Sequence, residues 1–161
     1  LLEKTEVELR PIIEDLIEKF TAKAEKQVEF ALDLQEEKAY ADEEFLKEAL
    51  SNLIDNAIKY SGESVQIKIS SSASTDGYTH ISVTDNGMGI PLKEQGKIFE
   101  KFERASAVIR NRKGGASGFG LGLNYVLHVV EEHPGSVKLE SIEGEYSKFT
   151  INIPQHNGET A

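Results

Sequence analysis

Between Leu46 and Lys59 the chain carries two faces that only a helix separates. At about 100° per residue, Leu46, Ala49, Leu50, Leu53, Ile54 and Ala57 gather on one side, and Glu48, Asn52, Asn56 and Lys59 on another. Asp42 ahead of them is a good N-cap, with Glu43 and Glu44 favourable in the first turn. Ser61 and Gly62 stop the helix near Tyr60. The polar stripe is either the solvated side of a core helix or a site. Asparagine is a poor helix former, and two of them four apart make a local conflict of the kind found at functional sites. An acceptor-rich row followed by a cation suits a magnesium ion bridging phosphates. One amide oxygen from Asn56 would serve as a ligand, and Lys59 would meet phosphate charge directly.

The periodicities around this helix alternate in kind. Leu9, Ile12, Ile13, Leu16, Ile17, Phe20 and Ala24 recur at helical spacing, with Pro11 in the first turns. Val28 to Leu34 alternates as a strand, and 38–41 reads as a short second one. Residues 65–69 and 80–84 predict a hairpin around the turn-rich stretch 70–77. Pro91 sits early in a short helix expected to end near Phe99. Residues 103–117 are basic, small and aperiodic, which predicts a loop. A helix follows over 122–132, ended by His133-Pro134-Gly135, and 136–141 with 148–153 predict a closing hairpin. Residues 1–8 are charged and read as the end of an upstream linker or helix. Residues 155–161 read as a frayed tail. The chain opens on Leu1 rather than Met, as expected of a piece of something longer. Helices mixed with strands in adjacent pairs predict an α+β fold, a two-layer sandwich with one sheet covered on one face by helices.

Composition narrows the partners. A formal net charge of -10 over 161 residues opposes broad contact with nucleic-acid phosphates or anionic lipid. A single small anion held by local cations and amides stays compatible with it. The absence of cysteine removes disulfide scaffolds and thiolate metal sites. No stretch of 18 apolar residues and no signal peptide occurs.

Two glycine loops carry further chemistry. Asp85-Asn86-Gly87-Met88-Gly89-Ile90-Pro91 follows a predicted strand. It is either a plain Asp-Asn-Gly turn or a place where backbone approaches a planar ligand while a buried carboxylate receives an exocyclic amine. Gly114-Gly115-Ala116-Ser117-Gly118-Phe119-Gly120-Leu121-Gly122-Leu123 runs straight into a helix. It is either a flexible linker or an anion site made by consecutive amides and a helix N-terminus. Neither a P-loop nor a dinucleotide fingerprint is present.

In this order, the features resemble the catalytic and ATP-binding domain of sensor histidine kinases, within the superfamily of DNA gyrase, the ninety-kilodalton chaperones and the mismatch-repair ATPases. Asn52 to Tyr60 resembles the family's N box, Asp85 to Ile90 its first glycine box, Phe99-Glu100-Lys101-Phe102 its F box and Gly118 to Leu123 its second glycine box. The stretch from Ser141 to Pro154 resembles the closing hairpin. The resemblance covers residues 9–154 and implies a Bergerat ATP-binding fold with a mixed, mostly antiparallel sheet. It implies ATP and Mg2+ as cofactors. Asp85 would receive the adenine amino group, with Gly87, Gly89 and Ile90 beside it and Tyr60 near the base. Asn56 would ligate magnesium, while Asn52, Lys59 and Arg104 would contact phosphate. Phe99, Phe102 and Leu121 would be among the ATP-binding residues, and Gly118, Gly120 and Gly122 would form a lid hinge and phosphate cradle. Phe119 and His133-Pro134-Gly135 depart from the family pattern.

Asn52 stands where the superfamily's hydrolysing members resemble one another in carrying glutamate. An amide cannot take a proton from water. The implied activity is therefore transfer of the γ-phosphoryl group to a histidine, with slow hydrolysis. No family phosphoacceptor motif surrounds His80, His128, His133 or His156, so the acceptor belongs to a separate part of the parent chain. The implied partners are that phosphoacceptor domain and, downstream, a response regulator, with no nucleic acid or membrane contact and a monomeric isolated domain. The implied location is the cytoplasm, in a parent that in many relatives is anchored in the inner membrane. A degenerate nucleotide-binding module and a gyrase-type or chaperone-type hydrolase are the alternatives. His128 with Glu132 reads as a surface pair rather than a metal pair.

Overall fold

A computed structural model of the chain describes residues 2–96, 98 and 119–155. In chain order the elements are β1 (Lys4–Glu8), α1 (Leu9–Lys23), β2 (Gln27–Leu34), β3 (Lys38–Asp42), α2 (Glu43–Lys59), β4 (Ser64–Ala73), β5 (Tyr78–Asp85), α3 (Phe119–Glu132), β6 (Ser136–Ile142) and β7 (Tyr146–Pro154). A short helical stretch over 92–96 follows Pro91. The main sheet runs β2-β4-β5-β7-β6, and β1 pairs with β3 in a separate ribbon. The β2–β4 pairing is parallel and the others antiparallel.

Alternation along the strands explains the two layers. Val65, Ile67 and Ile69 of β4, Ile81 and Val83 of β5, and Phe149, Ile151 and Ile153 of β7 are buried. Against them lie Leu9, Ile13, Leu16 and Phe20 of α1, the apolar stripe of α2, and Leu123, Val126, Val129 and Val130 of α3. The intervening strand residues, such as Gln66, Lys68, His80 and Asn152, fall on the opposite face, as period two requires. Truncating a fully buried member such as Leu50 to alanine costs about 2–5 kcal/mol. The sheet covered on one face is the architecture that the sequence predicts.

Asp42 fixes where α2 begins. One carboxylate oxygen accepts from Phe45 N at 3.3 Å as an N-cap, and the other accepts from Glu3 N at 2.8 Å. Burial opposes its charge, but backbone hydrogen bonds from Glu3, Phe45 and Glu44, with His133 nearby, hold its carboxyl below the ordinary value. Its own N–H donates to His133 Nε2 at 3.0 Å, and His133 Nδ1 lies 2.7 Å from the Val129 carbonyl. Since Nε2 accepts, the proton sits on Nδ1 and donates to Val129. The buried histidine thus clips the end of α3 to the start of α2.

Three expectations are corrected. Residues 4–8 are a strand, not a helix end: Val7 is buried and the segment pairs with β3 from Lys4↔Asp42 to Glu8↔Lys38. Charge alone had suggested the helix, and charge does not specify a period. Residues 70–73 extend β4 instead of turning, because Ser70 to Ala73 pair with β5. The helix expected from Gly122 starts at Phe119. The predicted loop 103–117, together with Phe99, Phe102, Arg104 and Gly118, lies outside the described residues.

Candidate functional site

One cleft opens between α2 and the ends of β5 and β7. Leu53, Asn56, Ala57, Tyr60, Val83, Asp85, Gly89, Ile90, Ser147 and Phe149 line it. Asp85 is the last residue of β5, in the inward set of that strand, and Asn56 faces it from the last turns of α2. The carboxylate and the amide, far apart in the chain, therefore share a cavity. That cavity is about 20 Å³, room for about one water.

Asp85 is 8% exposed, and its Oδ1 accepts from Gly87 N at 2.9 Å. Burial raises its pKa to about 6, against a smaller opposing effect of the Gly87 hydrogen bond. A carboxylate with acceptor capacity left over, in an apolar wall, is suited to receive an amine from a ligand.

The loop that follows is braced from two sides. Met88 N donates to the Tyr60 carbonyl at 3.3 Å, and Gly144 N donates to the Met88 carbonyl at 2.7 Å. Ile90 N donates to Ser141 Oγ at 2.8 Å, while Gln95 Nε2 bridges the carbonyls of Ile90 and Ser141 at 2.8 and 3.0 Å. Gly89 has φ +68°, and a Cβ there would overlap the Ile142 carbonyl. Only glycine lets the loop lie this close to the β6–β7 turn. A Cβ on Gly87 would sit 2.8 Å from the Tyr60 carbonyl and 2.9 Å from Asp85 Oδ1.

The other end of α2's polar stripe meets the first turn of α3. A Cβ built on Gly122 would lie 3.5 Å from Asn52 Oδ1 and 3.6 Å from Asn56 Nδ2. Asn56 is 7% exposed, and its Nδ2 has no hydrogen-bond partner. An unsatisfied buried amide at a helix N-terminus is costly in isolation and fits a site that takes an anion. Among the described residues no cluster of three His, Asp or Glu side chains could hold a metal by itself. A magnesium ion here would draw most of its ligands from phosphate and water.

Asn56, Tyr60, Asp85, Gly89 and Ile90 thus gather as the sequence places them, with Gly87 packed against Tyr60 and Asp85, and Asn52 near Gly122. Lys59 is directed elsewhere: its Nζ lies 2.9 Å from Asp55 Oδ2, both side chains being 39% exposed. Gly120 and Leu121 fall in α3. His128 and Glu132 are an exposed pair at 3.8 Å, as read from the sequence. Sequence reasoning missed Ser147 and Phe149. Ser147 lies directly across from Asp85 in the β5–β7 register. Its signal was legible: it is the polar member of an inward set that continues Phe149, Ile151, Ile153.

Residues 41–157 match the family described as histidine kinase-, DNA gyrase B-, and HSP90-like ATPase. The chain is 34% identical over 154 residues to the adaptive-response sensory kinase SasA of Crocosphaera subtropica, covering 94% of this chain and 39% of that protein. It is 35% identical over 142 residues to the sensor histidine kinase WalK of Bacillus subtilis, covering 86% of this chain and 23% of that one. It therefore spans well under half the length of these relatives. Among solved structures, the catalytic domain of histidine kinase ThkA superposes with a TM-score of 0.76 at 28% identity, covering 96% of this chain and 98% of that one. ThkA solved in complex with the response regulator protein TrrA matches with a TM-score of 0.76 at 27% identity, over 99% of this chain and 44% of that one.

Proposed function

Because the chain belongs to the histidine kinase-, DNA gyrase B-, and HSP90-like ATPase family, we propose that it is the ATP-binding catalytic unit of a sensor histidine kinase. One observation carries the reading: Asp85 and Asn56 line the same cleft from opposite elements, each with polar capacity unspent. Leu53, Ala57, Ile90 and Phe149 would take the faces of adenine, Tyr60 would pack near the base, and Asp85 would accept from its amino group. Asn52, Asn56 and the first turn of α3 would face the phosphates. Lys59 would join them by leaving Asp55. Arg104 and Gly118 are proposed for the phosphate end, and Phe99 and Phe102 beside the nucleotide.

Asn56 is the residue that would hold Mg2+, whose chemistry is to neutralise phosphate charge and fix its orientation. The acceptor is a histidine in a phosphoacceptor domain of the parent chain. Its neutral imidazole nitrogen attacks the γ-phosphorus, a P–N bond forms, the bond to the β-phosphate oxygen breaks and ADP leaves. An imidazole is already nucleophilic when neutral, so the task of this unit is positioning and charge neutralisation. Asn52 offers no base for water, which favours transfer over hydrolysis. A response regulator is the downstream partner proposed, as in the ThkA complex, and the unit is proposed to be cytoplasmic and monomeric. Among the described residues no helix is long and apolar enough to cross a membrane.

Calorimetric titration with a non-hydrolysable ATP analogue, with and without magnesium, tests the site. Binding that strengthens with magnesium is expected, and no binding in either condition would end the reading. Radiolabelled ATP with a phosphoacceptor helical domain supplied in trans should label that domain. Steady phosphate release above about one per second, ordinary enzyme turnover, would place the chain with the hydrolases instead.

A further inference from the structure

Beyond the residues that line the cleft, we infer that Lys26 is a positioning residue for its adenine end; this rests on the nucleotide reading above. Lys26 lies in the link between α1 and β2, far from Asp85 in the chain. Its Nζ donates to the Ile58 carbonyl at 2.5 Å, to the Ser61 carbonyl at 3.2 Å and to Ser61 Oγ at 3.1 Å. Ser61 Oγ in turn donates to the Ile58 carbonyl at 2.7 Å. A helix leaves its last carbonyls without internal partners, and a cation there is favourable on both counts. The lysine of α2's own last turn does not fill that role, because Lys59 is paired with Asp55. Lys26 does so from outside the helix, and it is anchored by the β2–β4 pairing that begins at Gln27↔Ser64.

The turn that Lys26 holds is the one on which the first glycine loop rests. Tyr60, between Ile58 and Ser61, lines the cleft and offers its carbonyl to Met88 N. A Cβ on Gly87 would meet the Tyr60 carbonyl at 2.8 Å and Ser61 Cβ at 3.3 Å. Gly87 N is the donor that holds Asp85. The chain of contacts therefore runs from Lys26 through 58–61 to 87–88 and on to the carboxylate. It reaches Asn56 only through the backbone, where Tyr60 N donates to the Asn56 carbonyl at 3.0 Å, and leaves the Asn56 side-chain Nδ2 without a partner. Lys26 should set affinity for the base while leaving the phosphate end alone.

The test compares Lys26→Met and Lys26→Arg with the unsubstituted chain, using ADP and inorganic tripolyphosphate as separate probes. Lys26→Met is expected to weaken ADP binding about tenfold, about 1.4 kcal/mol, and to leave tripolyphosphate within about twofold. Lys26→Arg, which keeps a charged donor, is expected to recover most of the ADP affinity. An ADP affinity unchanged within about twofold in Lys26→Met, or an equal loss for both probes, would overturn the inference, the second by showing a role in folding alone. Should Lys26→Met fail to fold, Ser61→Ala removes part of the same cap. It is then expected to weaken ADP about threefold, and no loss would overturn the inference. A nucleotide-free readout separates the two proposals. Exchange of the Met88 amide should quicken in Lys26→Met whether or not ADP binds, and unchanged exchange would count against Lys26. Failure of the unsubstituted chain to bind ADP would count against the nucleotide reading alone.

Discussion

The two ends of the cleft are built on opposite plans. At the β5 end the loop backbone is braced in advance, with one acceptor site of Asp85 used: Gly87 holds Asp85, Tyr60 and Gly144 hold Met88, and Ser141 and Gln95 hold Ile90. At the α3 end, the buried Asn56 Nδ2 has no partner, and Asn52 stands beside a glycine. The difference teaches that the β5 wall is braced within the fold itself, whereas the α3 end keeps a buried donor without a partner. The β5 end should respond to substitution mainly in stability and base affinity. The α3 end should respond mainly in phosphate and magnesium dependence.

Gly89→Ala should have the largest effect, because it combines a left-handed φ with overlap of the Ile142 carbonyl. A loss of about 3 kcal/mol in urea unfolding is expected. A loss under about 0.5 kcal/mol would show that the loop is less constrained than its packing implies. Asp85→Ala should weaken ATP binding at least tenfold, about 1.4 kcal/mol, with tripolyphosphate affinity little changed. An ATP affinity within about twofold would misplace the adenine.

Asp85→Asn sharpens the contrast through pH. The folded carboxyl has a pKa of about 6 against an ordinary value of 3.8. The unfolded state therefore holds fewer protons between those values, and stability falls as pH rises through that window. The amide avoids this penalty. It should stabilise the ligand-free chain by about 1–2 kcal/mol above pH 6, discounted for partial solvent access, and by nothing below pH 4. Unfolding curves at pH 4 and 7 test the sign. Over the same window, adenine affinity of the unsubstituted chain should fall on acidification.

At the α3 end, Asn56→Asp should change stability by less than about 1 kcal/mol yet alter the magnesium dependence of ATP binding, read by calorimetry. Lys59→Ala should be the mildest. Its exposed pair with Asp55 is worth about 0.3–0.5 kcal/mol, so thermal unfolding should barely move. A larger fall in triphosphate affinity would show that Lys59 leaves Asp55 for the ligand.

The helices and inner strand faces were legible because their signals are local. The Asp42 cap located the start of α2, and its apolar stripe identified the buried face. Nothing local marks β1, whose pairing with β3 is a tertiary choice, and the parallel β2–β4 contact is equally invisible to periodicity. Asp85 and Asn56, which line one cleft, were candidates read from motif chemistry. Ser147 was legible as the polar member of an inward strand set, but its place opposite Asp85 comes from register across β5 and β7. Lys59 illustrates the converse, a residue whose place on the helix was read correctly while its ion-pair partner was not foreseen.

The strand order leaves β2 and β6 as the two margins of the sheet. Exposed margins offer unpaired backbone to any neighbouring chain and are a recurrent route to fibres. Here β2 carries Glu29 and Asp33, and β6 carries Lys138 and Glu140, all exposed. On β2, a second copy pairing edge to edge would bring Glu29 and Asp33 beside like charges. Replacing Glu29 and Asp33 with valine is therefore expected to raise aggregation of the chain, read by light scattering against the unsubstituted protein.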